Sequence, residues 1–459
     1  MVHEELLARF GPGGSPACSC GREHRLGLRE VILGEGALGE SAERASRGAA
    51  RSLWVLSDGN TESAAGERWK SMLRGQHVKG RVLPAVPRPV PTDALLAELS
   101  AEAREAAPEL IVAIGSGVVS DLGKAISREV GLPNWSIATA PSVDAYTSAT
   151  AAVRIAGYHR PLPATPSEVV VCDLGVLRAA PRRLFLAGLG DLLAKFLARI
   201  DWPLAHLLAG EPFCELLSAS ALGSARLAVQ AAELQFGEAG TAAAALIDAS
   251  LASGLCMQGA GSSRPAASAE HTIAHFWEMS GAVTREENDL HGLLVGAAAR
   301  PVLHGYAAFL PRLRSAGVDP ATRRAALEGE PPWESRLPPE MARFRETLEA
   351  VAASSAPARA GLEVRLESFA RRREEIAAAA APILEELARA VATLQRLGFP
   401  FSPDEIGIAE PWRRLGVRHV RQLRDRYTLF DLAHDLGDEE VLVEAVEAGL
   451  RSAGPALDG

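Results

Sequence analysis

Cysteine is scarce in this chain, with five residues among 459. An odd number excludes a fully paired disulfide framework, and Cys172, Cys214 and Cys256 stand alone, so the cytoplasm is the expected compartment. Positive charge is also in deficit. Lys+Arg 48 against Asp+Glu 57 leaves a net charge of -9, which excludes a nucleic-acid partner held by bulk charge. A small anion held at a local positive site remains compatible with that balance. The chain opens without a basic segment leading into an apolar run, so no signal peptide is expected. No uninterrupted apolar stretch reads as long enough to span a bilayer, so no membrane insertion is expected.

What is present is the composition of an ordinary globular protein, 47% hydrophobic and 23% charged, with length for two domains and a large core. From residue 29 short apolar runs alternate with helical periodicity. Strands are expected at 30–33, 53–58, 80–86, 110–114 and 169–173, and helices at 36–48, 64–73 and 92–106. Such alternation predicts a parallel sheet with crossover helices, whose ligands sit at the carboxyl ends of the strands. Beyond Pro181 alanine and leucine dominate and strand signals vanish. The expected organisation is therefore an α/β nucleotide-binding domain over 1–178 and an all-α domain over 179–459. Within the latter, 320–397 reads as long surface helices of mixed charge, and Arg371 to Arg373 as a solvated face.

Several strand ends carry chemistry. Gly115-Ser116-Gly117-Val118-Val119 closes one strand and opens a helix, so its backbone N–H groups can approach a phosphate. Asp58 ends an earlier strand. It can accept from a ribose, which favours NAD over NADP, or cap the turn that follows. A hydroxyl-rich loop, Thr139-Ala140-Pro141-Ser142 through Asp144 to Ser148, can hold a carboxamide or sugar hydroxyls, or be a plain turn. Asp191 opens the helical half in Gly188-Leu189-Gly190-Asp191, where an acidic residue also suits a helix start. Cys18, Cys20 and His24 could form a small metal knuckle, but no fourth ligand lies nearby in sequence and a structured turn explains them too.

The densest cluster lies between Ser263 and Gly296. His271 and His275 are four residues apart, so a helix presents both rings on one face. A break at 285–289 follows, and His291 opens the next apolar run. Two helices can thus aim three imidazoles at one point, although core histidines satisfied by neighbours would give the same pattern.

Taken together these motifs resemble the sn-glycerol-1-phosphate dehydrogenases, particularly their bacterial branch, within the iron-type alcohol dehydrogenase and dehydroquinate synthase-like superfamily. The resemblance rests on the order C-S-C-G-R-E-H, G-S-G-V-V-S-D, T-A-P-S-V-D-A-Y-T-S, A-G-L-G-D-L-L-A-K, S-R-P-A-A-S-A-E-H-T-I-A-H, L-H-G and R-D-R-Y-T, and covers most of the chain from Cys18 to Gly437. It implies a Rossmann-like domain, a helical domain and an active site in the cleft between them. It implies that Asp191, His271 and His291 bind one divalent metal, nickel in bacterial and zinc in archaeal members, with iron(II) also compatible. Asp144, Asp191 and His275 would meet the substrate and serve catalysis, and Asp58, Gly115 to Val119, Thr139 to Ser142 and Ser148 would bind NAD or NADP. The implied reaction, part of phospholipid metabolism, is reversible reduction of dihydroxyacetone phosphate, a phosphorylated triose, by a homodimer.

The chain departs from the family pattern at Gly157 to Pro161, where lysines are usual and His159 and Arg160 stand here. Leu293 replaces a frequent acid, and Arg264 is a candidate phosphate anchor or a surface arginine. A polyol dehydrogenase, a dehydroquinate synthase-like cyclase and a non-catalytic nucleotide-binding relative are the alternatives. The aspartate in G-D-L-L-A-K speaks against the cyclase, whose branch uses glutamate there.

Overall fold

A computed structural model describes residues 1–235, 239–285, 289–317, 319–329, 332–359 and 361–451. Part of the break expected at 285–289 therefore lies outside the described residues. The chain divides into two compact units. Met1–Leu192 with Ala219–Ala266 forms the first, and Leu193–Ser218 with Ala267–Gly459 the second.

The strands of the first unit are Glu30–Gly34 (β1), Ser52–Asp58 (β2), His77–Leu83 (β3), Leu110–Gly115 (β4), Asn134–Ala138 (β5), Thr150–Ile155 (β6), Tyr158–Pro163 (β7) and Val169–Asp173 (β8). Six of them make a parallel sheet in the order β1-β8-β5-β4-β2-β3. Its central strands are near-continuous apolar runs because both faces are covered. Leu53, Val55, Leu110, Val112 and Ile114 face one core with Leu38, Ala42 and Trp69. The alternate residues Trp54, Leu56, Ile111 and Ala113 face the other, with Leu99, Val119, Leu122 and Ile126. β3 is the exposed edge and lies three residues earlier than the sequence suggests, at 77–83.

The strand order fixes where a ligand belongs. From β2 the chain moves outward to β3, then returns across β2 to β4 and continues to β5. The order reverses between β2 and β4, whose carboxyl ends are Asp58 and Gly115. That is the topological switch point where open parallel sheets bind ligands. β6 and β7 form a separate antiparallel hairpin that turns through Ala156 and Gly157, both at positive φ (49° and 83°). Such a two-residue turn matches the twist of paired strands.

The second unit is helical. Its 35-residue helix Leu362–Arg396 buries Leu366, Phe369, Ile376 and Leu384, so one face is core where the sequence suggests surface. Arg371 and Arg372 do lie on a solvated face and pair with Glu367 and Glu375. Two helices, Gly240–Ala260 and His291–Ser315, are long and apolar enough to cross a membrane, against the expectation of none. Their most apolar windows are 72% and 78% buried inside the protein, which accounts for their composition as core helices.

Candidate functional site

In the first unit the glycines around Gly115 are distinguished by what surrounds them. A Cβ on Gly115 would sit 2.5 Å from Val119 Cβ, and one on Gly123 would sit 2.5 Å from Ala113 Cβ. Both are required by close packing of the helix Gly117–Val130 on the sheet. At Gly117 a Cβ would meet only Val143 at 3.4 Å, an ordinary contact. The protein's own packing does not demand that glycine, whereas close approach of a ligand to the helix N-terminus would. Ser116 caps no backbone group and instead hydrogen-bonds Ser142, tying the glycine turn to the loop after β5.

Asp58 caps its helix through Oδ1, which accepts from the N–H groups of Asn60 and Thr61, both at 2.9 Å. The capping alternative is therefore realised, and it occupies one of the two carboxylate oxygens. Thr139 donates its N–H to Gly115 O at 3.2 Å. Ala140 is buried, and Pro141 O lies against Gly188 so closely that a Cβ there would stand 1.8 Å away.

The rest of the loop is organised by a residue that sequence patterns did not single out. Lys124 is fully buried and donates to Ala145 O (2.6 Å), Ser148 Oγ (2.9 Å) and Thr150 O (2.7 Å) while pairing with Asp121. The Ser148 hydroxyl is thus turned into this network, and donates within the loop as well. Asp144 accepts from Ser253 Oγ at 2.7 Å, and its own N–H donates to Asp191 Oδ2 at 3.0 Å. Asp144 and Asp191 are therefore neighbours, and both are buried. Arg264 is buried, which removes the reading of it as a surface arginine. On the hairpin Arg154 Nε donates to His159 Nε2 at 3.1 Å, and Arg160 is exposed.

In the second unit the three histidines converge. Ring centroids are 6.2 Å apart for His271 and His275, 5.3 Å for His271 and His291, and 4.9 Å for His275 and His291. The helices Ala269–Ser280 and His291–Ser315 carry them, with His291 as the first helical residue. Two carboxylates that the sequence reading missed hold the rings. Glu278 Oε2 lies 2.8 Å from His275 Nδ1 and its Oε1 lies 3.0 Å from His291 Nδ1, while Glu270 Oε1 lies 2.9 Å from His271 Nδ1. Burial would push the Glu278 carboxyl up, but the His291 and His275 imidazoles hold it well below the usual carboxylate range. An ionised carboxylate only accepts, so the Nδ1 atoms of His275 and His291 carry the hydrogens that face it. Carboxylate-held imidazoles of this kind are the usual outer support of metal ligands.

Asp201 fixes the start of the histidine helix. Its Oδ2 accepts from Ser268 Oγ and from Tyr306 Oη (2.8 Å), and its Oδ1 accepts from Leu429 N–H (2.9 Å). Ser268 precedes the helix of His271 and Tyr306 lies on that of His291, so one carboxylate ties both together.

The sequence model of iron-containing alcohol dehydrogenases matches residues 32–181. Among curated relatives named glycerol-1-phosphate dehydrogenase NAD(P)+, the Geobacillus stearothermophilus protein is 32% identical over 53% of this chain and 59% of its own length. The Halalkalibacterium halodurans protein is 31% identical over 61% of this chain and 71% of its own length. The Pyrococcus furiosus protein is 31% identical over 60% and 79% respectively. The chain thus spans little more than half of the first of these. In fold it is similar to a probable glycerol dehydrogenase from Sinorhizobium meliloti, with a TM-score of 0.59 and 17% identity over 92% of this chain and 98% of that one. An iron-containing alcohol dehydrogenase from Thermococcus thioreducens aligns with a TM-score of 0.58 and 17% identity over 94% and 100%. By the extent of its likeness to the Halalkalibacterium and Pyrococcus proteins, the chain belongs to the glycerol-1-phosphate dehydrogenase family, among the iron-containing alcohol dehydrogenases.

Proposed function

We propose that this chain is a divalent-metal-dependent, NAD(P)H-linked dehydrogenase that reversibly reduces dihydroxyacetone phosphate to sn-glycerol 1-phosphate, acting as a homodimer in the cytoplasm. The observation that carries the reading is the carboxylate-held histidine cluster. His271 and His291 offer imidazole nitrogens, and the buried carboxylate of Asp191 is the third ligand in this reading. Zinc, nickel and iron(II) all accept two imidazoles and one carboxylate, so the donor set fits the group without choosing the element. When bound there, the metal supplies Lewis acidity toward the substrate's carbonyl oxygen. The nicotinamide supplies the hydride.

The chain's own residues do the rest. The N–H of Asp144 fixes one oxygen of Asp191 and so sets the plane of that carboxylate. His275, held at Nδ1 by Glu278, is in this reading the group that exchanges a proton with the substrate oxygen. Asp144, steadied by Ser253, orients a substrate hydroxyl, and Arg264 receives the phosphate. The N–H groups after Ser116 receive the dinucleotide's phosphates at the switch point, with Asp58 beside the ribose.

The test is NADH oxidation by metal-loaded protein with dihydroxyacetone phosphate, beside dihydroxyacetone and with His271→Ala as control. Turnover of the phosphate ester alone, lost in the variant, is expected. Turnover of dihydroxyacetone instead would keep the dehydrogenase and move its substrate to unphosphorylated polyols, for which the exposed Arg160 and the Arg154-bound His159 leave room. No metal-dependent turnover of either would sink the reading.

A further inference from the structure

The segment Cys18 to His24 is folded as a closed knuckle. Gly21, at φ +78°, lets the chain reverse, Gly21 N–H donates to Cys18 O at 3.0 Å, and His24 N–H donates to Pro16 O at 2.8 Å. Ala17 and Glu23 pair as an antiparallel bridge across its base. The thiols of Cys18 and Cys20 and a ring nitrogen of His24 are brought within 4.8 Å of one another. Neither cysteine is in a disulfide.

The imidazole is oriented as a ligand would be. His24 is 1% exposed and its ring meets Phe10 edge-on at 5.2 Å. Nδ1 lies 2.8 Å from the carbonyl oxygen of Gly259, which can only accept, so Nδ1 carries the hydrogen. Nε2 is then the lone-pair nitrogen, and it stands 3.3 Å from Cys20 Sγ. A sulfur and a nitrogen on one tetrahedral zinc stand about 3.5 Å apart, given metal distances of about 2.3 and 2.0 Å. Histidine ligands characteristically donate their second nitrogen to a backbone carbonyl, as here.

We propose that Cys18, Cys20 and His24 form a thiolate–imidazole site for a zinc-class ion, structural in role and independent of the histidine cluster. On binding, both thiols lose their protons to solvent and the two thiolates with His24 Nε2 take three positions of the ion. A fourth donor, either water or a further thiolate, completes it. The ion would clamp the knuckle where His24 meets Gly259 and Leu26 N–H meets Phe10 O, joining the amino-terminal helix Val2–Phe10 to the helix Ala239–Ala260.

The experiment uses His271→Ala protein, whose catalytic metal position is disabled, so that its readout owes nothing to turnover. Elemental analysis should still find about one zinc-class equivalent per chain, released by a mercurial that caps thiols. Replacement with cobalt should give a sulfur-to-cobalt charge-transfer band, and X-ray absorption should count two or three sulfurs and at least one nitrogen. Adding Cys18→Ser and Cys20→Ser should abolish both the band and the equivalent, whereas Cys20→His should retain the metal and weaken the band. Absence of metal from the His271→Ala protein, a first shell without sulfur, or a band that survives the double serine variant would overturn the proposal. A Cys18–Cys20 disulfide found by mass spectrometry after reducing purification would overturn it equally.

Discussion

Glu278 Oε1 stands 3.0 Å from His291 Nδ1, and the same side chain's other oxygen holds His275 at 2.8 Å. One buried carboxylate therefore sets the tautomer of two imidazoles that come from different helices. Glu278→Gln retains the shape but offers one acceptor oxygen and one N–H₂ group, so one of the two histidines must turn or change tautomer. Metal affinity should fall by about 10–100-fold, the usual cost of losing such support. Competition with a chromogenic chelator measures this directly. Unchanged affinity would mean that the histidines are held by packing alone.

Gly188 faces the nucleotide loop with no room to spare, since an added Cβ would lie 1.8 Å from Pro141 O, a backbone atom that cannot swing aside. Glycine to alanine inside a helix ordinarily stabilises by about 0.5–1 kcal/mol. Gly223→Ala, with nothing within 4 Å of the added atom, should show that gain as a higher unfolding midpoint. Gly188→Ala should do the reverse, lowering the midpoint and weakening NADH binding on the order of tenfold as the 139–142 loop is displaced. Fluorescence titration of NADH against both variants checks the contrast.

Much of this architecture was legible because parallel strands buried on both faces are apolar runs, and because their ends carry Asp58, Gly115 and Asp173. The four-residue spacing of His271 and His275 showed one helical face. Glu270 and Glu278 were not legible, since a glutamate beside a histidine on a helix is more commonly a solvated charge. The β6–β7 hairpin was hidden by Pro161 and Pro163, which argue against a strand unless it lies at an edge. Nothing local announces that 219–266 packs with the sheet-bearing unit, because that pairing depends on contacts far apart in sequence.

Arg264 is 8% exposed and lies shortly before the histidine helix, whereas Arg160 is exposed on β7. In the proposed reaction Arg264 receives the phosphate. Arg264→Ala should then lower kcat/KM for dihydroxyacetone phosphate by about 10–100-fold, the worth of about 1.5–3 kcal/mol for a hydrogen bond to a charged group. It should leave the rate with dihydroxyacetone nearly unchanged. Arg160→Ala should alter neither. A selective loss in Arg160→Ala instead would place the anion site on the hairpin.

Asp201 gives the second unit a dependence on pH. Burial pushes its carboxyl up from 3.8 to about 7, outweighing the downward pull of Ser268, Tyr306 and the Leu429 N–H. The folded chain therefore keeps a proton that the unfolded chain releases. Its contribution to stability is complete below about pH 4 and is lost as pH rises to about 7, each tenfold difference in proton affinity between the two states being worth about 1.4 kcal/mol. Asp201→Asn cannot titrate. Its amide must face N–H₂ toward either the Leu429 N–H or the Ser268 and Tyr306 hydroxyls, which costs about 1–3 kcal/mol at low pH. The variant should thus be the less stable protein below about pH 4 and the more stable one above about pH 7, because over that range the parent loses about 4 kcal/mol, more than the substitution costs. Urea unfolding of both proteins across that range measures the gap between them. A gap that stays constant would show that Asp201 is ionised in the folded chain throughout, with its three donors prevailing over burial.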